Sequence, residues 1–281
     1  MWLAAGLILF IALVLLLAAV IFSARQTQRR QVLRLDKLAD SAARAEPLSV
    51  DEAVLSLLPD PVARYFNHVF TDACAMNRLV RFTQTGQLKI SPSSKSWSPF
   101  KASCVVSEEP PGFIWDATVR VMSIVPVRVE DSWQDGIGAG QVRFMSAFSI
   151  AREEDISELN AGAMYRYLAE SVWHPTALLP QSGVQWEAVD ENTAIAHLAK
   201  FGVSVSLEFR FNQQGEITGV YTEDRYGKFD GRYVRHPWEG RFSDYRDFNG
   251  VKIPVKGEVG WHLPQGWWLF WQGEIVAVEN H

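Results

Sequence analysis

Glu158–Pro180, ELNAGAMYRYLAESVWHPTALLP, is the only long helical pattern in a chain whose body otherwise alternates with a period of two residues. Leu159, Ala163, Tyr167, Leu168 and Val172 recur at helical spacing while Arg166 and Glu170 share another face, which predicts an amphipathic helix. Ser157 or Asp155 can cap its start, since a short side-chain oxygen takes a free amide hydrogen of the first turn. Pro175 bars His174 from the α region, so the helix is expected over 158–174. A lone amphipathic helix among strands predicts a plug against which a sheet curls.

Outward from the plug, the alternation is persistent. Val203, Val205, Leu207, Phe209 and Phe211 share one face, with Ser204, Ser206, Glu208 and Arg210 on the other. Upstream, Val80, Phe82, Leu88 and Ile90, then Ala102, Cys104 and Val106, then Phe113, Trp115, Ala117, Val119 and Val121 repeat it. Val125, Val127 and Val129 follow, then Trp133, an Asp135-Gly136 turn, and a run through Val142, Phe144, Phe148 and Ile150. Downstream, Ile217–Asp224, Trp238–Phe248, an Asn249-Gly250 turn, Val251–Leu263 and Trp267–Val278 read as further strands. One greasy face per strand is the mark of antiparallel pairing. About eleven strands exceed what an open twisted sheet sustains, so the expected fold is mainly β, a curled antiparallel sheet forming a half-open barrel around the plug. Whatever the helix does not fill would be an apolar pocket.

Trp2–Ser23 carries no charge and is long enough to cross a hydrocarbon layer that needs about 20 residues, so it is read as a transmembrane helix. No basic residue precedes it, unlike a cleaved signal peptide. Arg25, Arg29, Arg30, Arg34 and Lys37 follow it, and the positive-inside rule then places the body on the cytoplasmic side. Residues 24–70 read as a helical juxtamembrane linker, with short helices at Ser49–Leu58 and Pro61–Phe70, and 71–281 as the β domain.

A net charge of -5 with scattered Lys and Arg gives no basic stripe and argues against nucleic acid. Cys74 and Cys104 have no companions at metal-ligand spacing, so neither a metal nor a cofactor is expected; they are two thiols, or a disulfide if the body faces an oxidising compartment.

The runs RYLAESVWHPTALLP (Arg166–Pro180), PWEGRFSDYRDFNGVKIPVKGEVGW (Pro237–Trp261) and PFKASCVVSEEPPGFIWDA (Pro99–Ala117) resemble a bacterial family of unknown function whose members carry an N-terminal membrane segment. That family is similar in fold to lipoprotein carriers of the Lol type. The resemblance implies a half-open β barrel plugged by helices that binds acyl chains on its concave face. It also implies work outside the cytoplasmic membrane, opposite to the side the charges select, and it supplies no catalytic residues.

Eleven Trp, all but Trp2 beyond residue 70, serve either a thick core or a cavity for greasy ligands. The residues expected to line such a cavity are Trp115, Trp133, Tyr167, Glu170, Trp173 and Trp186, together with Phe209, Arg225, Trp261 and Trp271. Arg225 either holds a carboxylate or phosphate headgroup or pairs with Asp224, Glu223 or Glu239. Alternation sends Trp267 and Trp271 to one face and Trp268 and Phe270 to the other, so one of those aromatic faces should touch something beyond its own core. The expected function is membrane-tethered, non-catalytic binding of a membrane lipid or lipid-modified protein. Two alternatives stand beside it: a hydrolase or isomerase using Glu170, His174 and Arg225, and an assembly module docking through Trp267–Trp271. Oligomeric state is not legible.

Overall fold

The computed structural model describes residues 52–71, 77–121, 125–144 and 148–280, with eight isolated helical positions between 14 and 40. Six strands come first: β1 (Leu79–Leu88), β2 (Ser98–Ser107), β3 (Gly112–Val121), β4 (Val125–Gln134), β5 (Ile137–Phe144) and β6 (Phe148–Glu154). Seven follow the helical segment: β7 (Val184–Asp190), β8 (Thr193–Lys200), β9 (Val203–Phe211), β10 (Ile217–Phe229), β11 (Arg232–Phe248), β12 (Val251–Leu263) and β13 (Gly266–Asn280). Each set is an antiparallel meander, and β1 pairs with β13 from Val80 opposite Asn280 to Leu88 opposite Trp271. That seam makes one sheet of thirteen strands, ordered β6-β5-β4-β3-β2-β1-β13-β12-β11-β10-β9-β8-β7.

The count exceeds the expected eleven partly because the run through Val142 and Ile150 divides into β5 and β6, which pair with each other. The hairpins turn where left-handed backbone is available. Asn249 and Gly250 have φ of 56° and 87°, as the sequence suggested, and Asp230-Gly231 does the same between β10 and β11. The sheet stays open, since β6 and β7 end the strand order without pairing. These two edge strands are the ones joined by the helical segment. Helix α3 (Ser157–Glu170) and three 3-10 turns, Ser171–Trp173, Pro175–Leu178 and Pro180–Ser182, therefore bridge the gap where a barrel would close. α3 packs on β4 and β5 of one arm and on β9 and β10 of the other, which requires the sheet to bend around it.

The plug differs from expectation at both ends. Its N-cap is Ile156, with no side-chain cap. Asp155 instead accepts from Asn160 Nδ2 at 3.1 Å, and Asn160 Oδ1 accepts from the Gly138 amide at 2.7 Å, which ties the first turn to β5. Gly138 makes this approach possible, because a Cβ there would lie 2.9 Å from the Leu159 carbonyl oxygen. At the other end the α-helix stops at Glu170 and tightens into the 3-10 turn before Pro175 can act.

One continuous core lies on the inner face. Phe82, Phe113, Trp133, Leu168, Leu178, Leu207, Phe209 and Ile217 are nearly inaccessible within it. Helix α2 (Asp60–Val69) has the expected length, one residue earlier than Pro61–Phe70, while α1 (Glu52–Leu55) ends three residues before the expected Leu58 and residues 49–51 lie outside the described residues. α2 adds Val62, Tyr65, Phe66 and Val69 to that core, with Tyr65 edge-on to Phe211 at 6.0 Å. On the outer face Leu38 packs with Leu79, Val105 and Ile114. Cys104 is buried and has no disulfide partner among the described residues, outside which Cys74 lies. No described helix is long and apolar enough to cross a membrane, and the expected span Trp2–Ser23 lies, isolated positions apart, outside the described residues.

Candidate functional site

Between α3 and the inner face of both arms the protein leaves a cleft of about 790 Å³. Branched aliphatic side chains of β3 and β4, Val119, Val121, Val127 and Val129, form one wall. The opposite wall is aromatic. Trp238 lies opposite Trp261 in the β11–β12 pairing and Trp261 opposite Trp268 in the β12–β13 pairing, so three indoles on adjacent strands stand in a row. The row is kept open by Gly227, where a Cβ would meet Trp261 Cη2 at 2.8 Å. Trp173 and Trp271 continue this surface, their rings 6.1 Å apart, and Trp271 stacks on Phe100 at 5.7 Å.

Charge enters the cleft from the helix and from β10. Arg166 donates to Glu170 Oε1 at 2.6 Å and to Asp131 Oδ2 at 2.9 Å, and its guanidinium lies over the rings of Phe113 and Trp115. Burial works against this cation, but Glu170 and Asp131 outweigh it and hold Arg166 above the ordinary arginine range. Glu170 keeps a second buried oxygen, Oε2, with no hydrogen-bond partner among the described residues.

Arg225 is arranged differently. Its Nη2 and Nε donate to one backbone carbonyl, Gly162 of α3, at 3.1 and 3.3 Å. Its guanidinium lies 4.5 Å from the Trp238 ring centroid and 5.1 Å from that of Trp261. The acids expected to pair with it are engaged elsewhere: Asp224 with Arg235, Glu239 with Arg241 and His262, and Glu223 with the Tyr221 hydroxyl. Among the described residues no carboxylate forms an ion pair with Arg225. Burial, and then repulsion from Arg166, exceed the attraction of Glu170 and Asp131 and bring its pKa down to about 9.

Of the residues expected to line a cavity, Trp115, Glu170, Trp173, Arg225, Trp261 and Trp271 do so. The other four lie away from the cleft. Trp133 packs against Tyr167 at 5.1 Å, with the Tyr167 hydroxyl on the Ser107 carbonyl oxygen, because α3 presses that face onto the sheet. Trp186 donates to the Leu178 carbonyl and packs edge-on against Phe209 at 5.1 Å, under the 3-10 turns.

His174 does not converge with Glu170. It is buried beyond the helix end, where Nε2 donates to the Asn77 carbonyl oxygen at 2.8 Å, and Nδ1 has no partner among the described residues. Because a carbonyl only accepts, the proton sits on Nε2, and burial lowers the pKa to about 4 despite that hydrogen bond. An acid–base pair of these two residues opening on the cleft is therefore not what the chain builds.

Trp238, Trp268 and the valine wall complete the site beyond what was expected. Strand alternation already marked the valines as inward. Trp268 escaped because the β12–β13 pairing shifts register between Val259 and Gly260. The shift brings Trp268, Phe270 and Trp271 all to the cleft, while Trp267 lies outside against His262 and Arg241, its ring 4.8 Å from the guanidinium carbon.

An open antiparallel sheet whose edges are bridged by a helix over an apolar cleft defines the architectural class. Within it, the chain belongs to a family of unknown function, DUF6920, whose model matches residues 56–279. None of the curated proteins compared with the chain matches it. Among solved structures it is similar to a LolA superfamily protein from Nitrosomonas europaea, with 11% identity over 79% of this chain and 92% of that one and a TM-score of 0.33. It is also similar to a DUF1329 family protein from Desulfovibrio piger, with 11% identity over 79% of this chain and 93% of that one and a TM-score of 0.36. Scores of this size say nothing of ligand or activity.

Proposed function

We propose that this chain binds a lipophilic molecule, either a membrane lipid or the lipid moiety of a modified protein, in the cleft under α3 and does not transform it. The observation that carries the reading is the cleft itself: about 790 Å³ remains after the protein's own side chains have packed, walled by valines and indoles. That is within the roughly 300–1,000 Å³ of ligand sites, and an apolar hollow of this size is favourably filled by hydrocarbon. Trp2–Ser23 would anchor the chain in a bilayer, with the β domain on the side that Arg25, Arg29 and Arg30 select, the cytoplasmic one. A reporter enzyme fused after His281 tests that side.

The binding itself is tested on the full chain in amphipol. Native mass spectrometry is expected to show retained acyl lipid, and a brominated acyl probe is expected to quench the indoles of the cleft. A chain that carries no lipid and whose tryptophan emission ignores a saturating probe would end this reading.

A further inference from the structure

We propose that the cleft selects an amphiphile with an acidic head, a carboxylate or a phosphate, and that Arg225 is the residue that receives it. The inference rests on the lipophilic reading above and adds the polar end of the ligand.

Arg225 is a cation lodged among apolar rings. It carries five N–H groups, and among the described residues only Nη2 and Nε make hydrogen bonds, both to the single carbonyl oxygen of Gly162. A buried guanidinium without a counter-charge is costly, and chains ordinarily supply a carboxylate. This chain has candidates within reach in sequence and commits them to other partners: Asp224 to Arg235, Glu239 to Arg241 and His262, and Glu223 to the Tyr221 hydroxyl. Arg166, on the neighbouring face of the same cleft, shows the contrast, because it holds two carboxylates by direct hydrogen bonds. Glu170 and Asp131 do attract Arg225, but from beyond ion-pair distance and already shared with Arg166, so an acid in direct contact outcompetes them.

The surroundings point the same way. Both Trp238, which lies against Arg225, and Trp268 line the cleft, and among the described residues their buried indole Nε1 atoms have no acceptor. An indole N–H only donates. At Arg225 itself the cleft therefore offers an under-used guanidinium that only donates, which an oxyanion satisfies and an ammonium does not. The partial accessibility that Arg225 retains is consistent with opening on the cleft it lines. With the head at Arg225, a hydrocarbon tail can run along the row Trp238, Trp261, Trp268 or against the valines opposite.

The test uses the full chain in amphipol and four diazirine-bearing probes of equal chain length: a fatty acid, the corresponding fatty alcohol, a lysophosphatidate and a monoacylglycerol. Labelling is mapped to peptides of the cleft. The acid and the lysophosphatidate should each label on the order of tenfold more than their neutral counterparts at equal sub-saturating concentration, the scale of a charge-assisted hydrogen bond. Whichever of those two labels better tells a free fatty acid from a phosphate headgroup as the source. In R225Q the acid probes should fall to the level of the neutral ones, whose own labelling is unchanged, and R225K should recover part of the preference. Equal labelling of the wild-type chain by acid and alcohol overturns the assignment of Arg225 while leaving lipophilic binding intact. No labelling by any probe removes both. The wild-type comparison decides the matter even if R225Q does not fold.

Discussion

The hydroxyl of Tyr233 on β11 donates a 3.0 Å hydrogen bond to Oε2 of Glu153 on β6, and Lys228 of β10 holds Oε1 of the same carboxylate. β6 ends one arm of the sheet and β10 and β11 belong to the other, so the contact crosses the mouth of the cleft, which all three residues line. Hydrogen bonds from Lys228, and then from Tyr233, hold Glu153 below the usual carboxylate range.

Replacing Glu153 with Ala should therefore loosen the mouth more than the molecule. Lys228 and Glu153 are both about a third or more exposed, so global stability should change by less than about 1 kcal/mol. Amide exchange in peptides spanning Phe148–Glu154 should accelerate several-fold. Mass-spectrometric exchange that leaves this peptide as protected as in the parent would show that pairing with β5 suffices to hold β6.

His174 makes stability depend on pH in a defined window. Its pKa is about 4 folded against 6.5 unfolded, so between these values the unfolded chain binds the extra proton. Its contribution is complete above about pH 6.5 and is lost as pH falls towards 4, amounting to about 3 kcal/mol if the whole shift is realised. H174Q keeps a donor for the Asn77 carbonyl and does not titrate. Urea midpoints measured at pH 7.5, 5.5 and 4.5 should fall less steeply for H174Q than for the parent, and parallel slopes would mean another group is responsible.

Arg166 is the shared partner of Glu170 and Asp131, and its removal leaves the buried Glu170 carboxylate without its cation. R166L should cost about 3 kcal/mol, while E170Q, which leaves Arg166 paired with Asp131, should cost less. Equilibrium denaturation of both variants checks the order. If R166L proves the more stable of the two, the cluster's charge is not what α3 relies on.

Gly138 lets α3 lie on β5. In G138V the added side chain begins 2.9 Å from the Leu159 carbonyl oxygen, and helix or strand must shift. A loss of about 2 kcal/mol or more is expected. It should be accompanied by exposure of Trp133, which packs against Tyr167 of the same helix, seen as a red shift of its emission in a variant with the other indoles replaced.

What could be read in advance was what is local. The alternation of Val203–Phe211 and the left-handed Asn249-Gly250 pair act within a few residues, and the structure follows them. The helix was visible from its own spacing, yet its cap was not, because Asn160 is drawn to Gly138, 22 residues away. Likewise His174 meets Asn77 across 97 residues. The divided faces of Trp267–Trp271 depended on a register shift that period-two counting steps over. Arg225 follows another shift, between Thr222 and Arg225 in the β10–β11 pairing, and nearby acids suggested partners that other arginines, a histidine and a tyrosine had claimed. Trp133 and Trp186 looked as suitable for a ligand as Trp115, and what separates them is only where the helix and its 3-10 extension press down.

The seam between β1 and β13 has a bearing on how the chain comes to be made. Of the described strands β1 leaves the ribosome before all the others and β13 after them, so until Gly266–Asn280 is translated the two arms have no backbone ladder between them. Until then the nascent chain holds six strands, the helical segment and six more strands without the seam that joins them, a state suited to chaperone capture. Backbone closure of the sheet is thus a late event, and a message cut short by one strand would leave the two arms joined only through the helix between them and the side chains that cross the mouth.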